Sequence, residues 1–210
     1  MCFNWRITHL PSLFITPEQA QALALLREEE QKEGKRPILL HGVTGSGKTE
    51  IYMQLIEHVV MEGKQAIVLV PEISLTPQIM ERFISRFGKR VSVTHSRLSL
   101  GERLDQWRKA RDGEISIIIG PRSALFMPFS NLGVIVMDEC HESSYISDVT
   151  PKYHTREVAR KLSELTGALL VMGSATPDID SYHRAVTGEF LLLGTVKGQI
   201  LTTVKSFFEV

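Results

Sequence analysis

Apolar residues along this chain gather in short unbroken runs rather than alternating with polar ones. Six of these runs, "RPILL", "QAIVLVP", "RVSVT", "ISIIIG", "LGVIVMD" and "ALLVMG", have the length of strands. A strand that is apolar at every position is suited to being covered on both faces, as in a parallel sheet. Between most of them the spacing turns helical, predicting helices over Thr49 to Met61, Thr76 to Phe87, Ser99 to Arg111 and Thr155 to Leu165. Ahead of the first strand, "TPEQAQALALLREEEQKEG" opens on a threonine cap and a proline and closes on glycine, so it predicts one more helix. Strands alternating with helices predict an α/β domain, with a mostly parallel sheet and helices on both faces. No internal repeat or low-complexity tract interrupts the pattern.

In sheets of this kind ligands gather at the carboxyl ends of the strands. The segments that follow the strands here are GVTGSGKTE, PEISLTPQ, GPRSA, DECH and GSATP, all polar or glycine-rich. Five such loops converging on one edge predict a functional site there.

Gly42 to Thr49 reads GxxxxGKT, after a predicted strand and before a predicted helix. Glycines allow backbone amides to turn inward around phosphate oxygens, and the start of a helix adds its positive dipole end. A flexible strand-to-helix turn is the alternative, but the full eight-residue pattern in its strand–loop–helix setting favours a phosphate cradle. On that reading Gly42, Thr44, Gly45, Ser46 and Gly47 surround the nucleotide. Lys48 reaches its outer phosphates, and Thr49 holds Mg²⁺ through its hydroxyl. Asp138, closing the run "GVIVM", is placed to hold Mg²⁺ from the other side. Glu139 is the candidate general base for the attacking water, and with Lys48 it forms the catalytic pair. Cys140 reads as packing. His141 is either an ordinary loop histidine or a partner of the GSAT segment. Gln19 has an amide that can both donate to and accept from an adenine edge, although such a residue on a helix is equally at home in solvent.

Composition narrows the picture. The 210 residues include 24 Lys plus Arg and 24 Asp plus Glu, so no global basic field would attract a polyanion. Any nucleic-acid contact must be local. Two cysteines, Cys2 and Cys140, lack metal-site or disulfide spacing, so no zinc is expected. With no signal-peptide layout and no apolar run near the ~20 residues that cross a bilayer, a cytoplasmic protein without membrane contact is expected.

Taken together, "GVTGSGKTE", "LVPEISLTPQ", "THSRLSLGER", "GPRSALF", "DECHESSY" and "GSATP" resemble the successive motifs of superfamily 2 helicases. Within that superfamily they are most similar to the primosomal helicases of replication restart. The resemblance spans about residues 16 to 187 and implies the first RecA-like lobe, a P-loop ATPase of DEAD/DEAH-like type that couples ATP and Mg²⁺ to 3′-to-5′ unwinding of single-stranded or forked DNA. It implies DNA contacts from Thr76, Arg122 and Ser123, whose short hydroxyl donors and planar cation suit a phosphate backbone. Tyr145 and Tyr153, in an aromatic-rich loop that also holds His154 and Arg156, resemble rings that stack on bases, with packing of a long loop as the alternative. Ser174, Ala175 and Thr176, with His141, resemble the element coupling ATP state to strand movement.

The chain departs from the pattern with DECH in place of DEEH and with Pro121 where threonine is usual. Nothing after "GSATP" resembles the second-lobe motifs, and the family's cysteine-rich zinc module has no counterpart. The expected organisation is an N-terminal tail (1–14), an ATP-binding domain (15–190) and a C-terminal tail of uncertain structure (191–210). A second RecA-like lobe and primosome proteins are the expected partners, and this lobe alone is expected to be weakly active. Two other readings stay open: a P-loop ATPase unrelated to DNA, and a non-catalytic binding module.

Overall fold

A computed structural model describes residues 15–43, 45–196 and 199–201. Its strands are β1 (Ile38–His41), β2 (Gln65–Leu69), β3 (Val91–Val93), β4 (Ile117–Gly120), β5 (Leu132–Met137), β6 (Ile146–Ser147), β7 (Tyr153–His154), β8 (Leu169–Ser174), β9 (Leu191–Val196) and β10 (Gln199–Leu201). Its α-helices are α1 (Pro17–Glu30), α2 (Lys48–Met61), α3 (Pro77–Phe87), α4 (Leu100–Arg111), α5 (Thr155–Thr166) and α6 (Ile179–Val186). One eight-stranded sheet runs β10-β9-β1-β8-β5-β2-β4-β3, and only β10 is antiparallel to its neighbour. The short β6–β7 hairpin lies outside it.

The unbroken apolar runs are explained by burial on both faces. Ile38 and Leu40, Ala66 and Val68, and Val134 and Val136 pack with α1, α2 and α3. The alternate residues Leu39, Ile67, Ile135 and Met137 pack with Ala110 of α4, Ala159 of α5 and Ala185 of α6. With side chains pointing alternately to the two faces, both sets must be apolar. Each such Leu or Ile contributes roughly 1.5–3 kcal/mol by leaving water.

Side chains cap most helices. Thr16 and Gln19 form a reciprocal capping box on α1, and Ser99 and Glu102 do the same on α4. Thr76, His154 and Asp178 cap α3, α5 and α6. Of the described α-helices only α2 lacks a side-chain cap, because its cap residue is Gly47.

Five elements differ from the sequence pattern: α6, β9, β10 and the two strands of the β6–β7 hairpin. α6 was not anticipated: it has only eight residues, and its start signal, Asp178, lies just beyond the GSATP loop. Leu191–Val196, expected to begin a C-terminal tail, is strand β9, hydrogen-bonded in parallel beside β1. Leu192 and Leu193 are buried there, one in each core layer. Residues 1–14 and 202–210 of the expected tails lie outside the described residues.

Candidate active site

The strand order determines what meets at the carboxyl edge. β1 leads into the glycine loop and β5 into Asp138, and β8, which ends at Ser174, runs between them. Three loops distant in sequence are therefore neighbours.

Gly42 donates its N–H to the Ser174 carbonyl at 3.1 Å, tying the start of the loop to β8. Thr44 lies outside the described residues. Gly45 and Gly47 have φ of 80° and 84°, the left-handed region that glycine enters without a Cβ penalty. The loop then enters α2 with its first amides uncapped, so positive partial charge is available to an anion. Lys48 is buried, and its Nζ donates to the carbonyl of Gly42 at 2.8 Å. Thr49 follows on the first turn of α2, half-buried.

Gln19 does not simply face solvent. Its Oε1 accepts from Thr16 N at 3.0 Å and its Nε2 reaches the Ser46 carbonyl at 3.5 Å. A Cβ on Gly47 would lie 1.9 Å from that Nε2. Between Gln19 and the glycine loop opens a cavity of about 290 Å³ bordered by Ala22, His41, Lys48 and Ile51.

On the neighbouring loop, burial and then the adjacent Glu139 carboxylate raise the pKa of Asp138. Among the described residues, the one side-chain hydrogen bond to its carboxylate comes from the Tyr52 hydroxyl, 3.3 Å from Oδ1. Glu139 has φ of 44°, unusual for a side-chain-bearing residue and common where a functional group is re-aimed. His141 Nδ1 lies 2.8 Å from Ser174 Oγ and 3.6 Å from Glu139 Oε2, and Ser174 Oγ also accepts from Thr176 N at 3.0 Å. Of the two readings of His141, the structure favours a partner of the GSAT segment. Ala175 contributes its carbonyl, 3.2 Å from His41 Nε2. Cys140 is buried as expected, its thiol pushed up to about 12 by burial.

Farther along the edge, the proposed DNA contacts divide. Ser123 is exposed. Arg122 is half-buried, and its Nη1 donates to the carbonyls of Ser144 and Ile146 at 2.9 and 2.7 Å, which uses two of the five guanidinium donors. Thr76 caps α3, accepting from Ile79 N at 3.4 Å. Tyr153 is half-buried and packs edge to face on Phe126, the centroids 5.6 Å apart. Tyr145 is a correction: its ring is 1% exposed and its hydroxyl donates to the Asp138 carbonyl at 2.7 Å, so it supports the Asp138 loop and has no face for a base. Arg156 is not a cation for DNA either, because it is buried against Asp178, Asp180 and Ser181.

Tyr52 escaped the sequence reading. Its position four residues after Lys48, on the same face of α2, was the available signal. The oxygen donors of Thr49 and Asp138 suit a hard cation such as Mg²⁺, and the uncapped α2 with its left-handed glycines suits a phosphate chain.

This fold and edge define a nucleotide-binding α/β lobe of RecA-like type, and the chain belongs to the DEAD/DEAH box helicase family, whose model matches residues 16–185. Among curated relatives it is similar to the replication restart protein PriA of Bacillus subtilis (strain 168), 54% identical over 179 residues covering 85% of this chain and 22% of that protein. The PriA of Synechocystis sp. is 48% identical over 170 residues, 80% of this chain and 20% of that protein. The chain thus spans about a fifth of the length of these relatives. The fold is also that of solved helicase chains. RecG bound to a three-way DNA junction aligns with TM-score 0.62 at 24% identity, covering 87% of this chain and 24% of that one. The Pyrococcus furiosus Hef helicase domain aligns with TM-score 0.59 at 19% identity, covering 82% and 36%. No helix among the described residues is long and apolar enough to cross a membrane.

Proposed function

We propose that this chain is the ATP-binding lobe of an ATP-driven DNA helicase of replication restart. The observation that carries the reading is the convergence of Lys48, the uncapped start of α2, the Asp138–Glu139 pair and the Ser174–His141 contact on one sheet edge. The loop amides and Lys48 Nζ hold the β- and γ-phosphates, Lys48 releasing the loop carbonyls to do so. Thr49 and Asp138 are the residues that hold Mg²⁺, which when bound neutralises phosphate charge. Glu139 orients the attacking water and takes its proton. Gln19 reads the adenine edge from beside the cavity. His141 shares Ser174 with the backbone of Thr176, so a shift of the Glu139 loop is passed to the segment after β8. Arg122, Ser123, Thr76 and Tyr153 meet single-stranded or forked DNA along the other half of the edge. The partners in this reading are a second RecA-like lobe, supplying the cation that stabilises the transferring phosphate, and primosome proteins in the cytoplasm.

The test is ATP turnover with forked DNA and a second-lobe polypeptide supplied in trans. Wild type is expected to turn over, whereas Glu139→Gln is expected to bind MgATP and remain inactive. Turnover by Glu139→Gln at the wild-type rate would remove Glu139 as the base.

A further inference from the structure

Helices α1 and α2 both begin beside the glycine loop, and their far ends bring together three groups that the proposed mechanism does not use. Glu30 closes α1, His58 lies in the last turn of α2, and Glu62 is the residue at its C-cap. Among the described residues they are the one group of three His, Cys, Asp or Glu whose ligand atoms all lie within 4.8 Å of one another. Both helices present their carboxyl ends here, whose free carbonyls carry negative partial charge and favour a cation.

The histidine sets this cluster apart from a patch of surface acids. Its Nε2 is buried and makes no hydrogen bond, although Glu62 Oε1 lies only 3.3 Å away. Two ligands about 2.0–2.2 Å from one tetrahedral Zn²⁺ ion lie about 3.4 Å apart, so the pair has the span of a shared metal. His58 and Glu62 are four residues apart on one face of α2. Glu30, only 2% exposed, approaches them from α1.

A cation of the chain's own meets part of the cluster. Lys64 Nζ lies 2.7 Å from Glu30 Oε1 and 2.9 Å from Glu62 Oε2, which answers the carboxylates and leaves the imidazole nitrogen without a hydrogen bond. A metal must therefore displace this ammonium. One nitrogen and two carboxylate donors suit a borderline cation such as Zn²⁺ better than Mg²⁺ or Ca²⁺, which prefer oxygen ligands.

We infer that Glu30, His58 and Glu62 form a binding site for a divalent transition metal of the zinc class, which clasps the far ends of α1 and α2 by displacing Lys64. The inference does not depend on the helicase reading. The clasp braces the two helices that carry Gln19 and Lys48 at their other ends. The expectation of no zinc came from cysteine spacing, which is blind to histidine and carboxylates contributed by two helices.

The test uses the purified chain without an affinity tag, stripped of metal by a chelator and held in excess Mg²⁺ to fill oxygen-only sites. Co²⁺ is titrated with visible absorption as the readout, and Zn²⁺ by calorimetry and by its effect on Tm. One Co²⁺ per chain with a d–d band is expected, and Zn²⁺ is expected to raise the Tm. His58→Gln and, independently, Glu62→Gln are expected to weaken Zn²⁺ at least ~10-fold, the lower end of what loss of even an outer-shell partner costs. Both are expected to keep the circular dichroism of the wild type. Lys64→Met is expected to tighten Zn²⁺, because the competing ammonium is gone and the side-chain stem is kept. Absence of saturable binding by the wild type, or unchanged binding by His58→Gln, would overturn the site.

Discussion

The carboxylate of Asp138 lies where its charge is resisted, first by burial and then by the Glu139 carboxylate, with the Glu139 amide, Lys48 and the Tyr52 hydroxyl offsetting only part of the effect. A folded pKa above the unfolded value means that the contribution to stability is fully present below the ordinary 3.8 and is lost as pH rises through the folded value. At neutral pH the ionised group is therefore a local cost. Asp138→Asn is expected to raise the Tm of the nucleotide-free chain while abolishing Mg²⁺-dependent nucleotide binding, and a lowered Tm would contradict this. Tyr52→Phe is expected to weaken Mg²⁺ by roughly 10-fold, as loss of an outer-shell partner does. Titration of Mg²⁺ into the ATP-bound protein measures it. Gly173 shows why β8 needs a glycine there: a Cβ would lie 1.5 Å from the Tyr52 hydroxyl. The meeting of Lys48, Asp138 and Glu139 at one sheet edge was legible in the sequence because each follows an apolar strand run in contiguous letters. Tyr52 was not, since a tyrosine on an apolar helix face reads as core until strand order brings β5 and β8 against it. Tyr145 misled for the converse reason, an aromatic in a polar loop that turns inward to brace the Asp138 carbonyl.

Among the elements, the contrast between α2 and α3 is instructive. Thr76→Ala removes a cap and is expected to cost about 1 kcal/mol in urea unfolding, whereas the corresponding end of α2 has no side-chain cap to lose. A half-buried Arg86 pairs with Glu50 at 2.7 Å and Glu57 at 2.8 Å, joining the helix after the glycine loop to the helix after PEISLT. On the other face, Arg156 joins α5 to the start of α6 through Asp178 and Asp180. Burial pushes Asp178 upward, but the Ser181 amide and hydroxyl together with Arg156 outweigh it and hold the carboxyl below its ordinary value. Burial, then Arg156, lowers the pKa of His154, whose neutral Nδ1 caps α5. Both folded values lie below the unfolded ones, so both contributions are present at neutral pH and lost on acidification. Stability is expected to fall first below about pH 6.5 through His154 and again below about pH 4 through Asp178. His154→Gln is expected to remove the first step in Tm against pH, and persistence of that step would contradict the assignment. The boundaries of α2 to α5 were legible to within about a residue, α3 to α5 because caps and periodicity agree and α2 because the glycine loop ends where its periodicity begins. β9 was not, because only its pairing with β1 distinguishes Leu191–Val196 from an apolar tail. Leu192→Ala is expected to cost about 2–5 kcal/mol, as for a core leucine.

At the scale of the molecule, the strand order β1-β8-β5-β2-β4 turns a list of loops into a surface. The nucleotide half of the edge lies on β1, β8 and β5, and the half proposed for DNA lies on β2, β4 and β3. Tyr52, Tyr145 and the Arg86 pair cross between loops and helices that no local pattern connects, which is why the sequence pointed to the edge and not to its internal wiring. The central claim is that Gly42 to Thr49 cradles phosphate through Lys48. Calorimetry of MgATP binding to the purified chain and to Lys48→Ala tests it most directly. One binding site on the wild type, weakened at least about 10-fold by loss of a charge-assisted contact, is the result expected. Equal affinity in the two proteins would contradict the account.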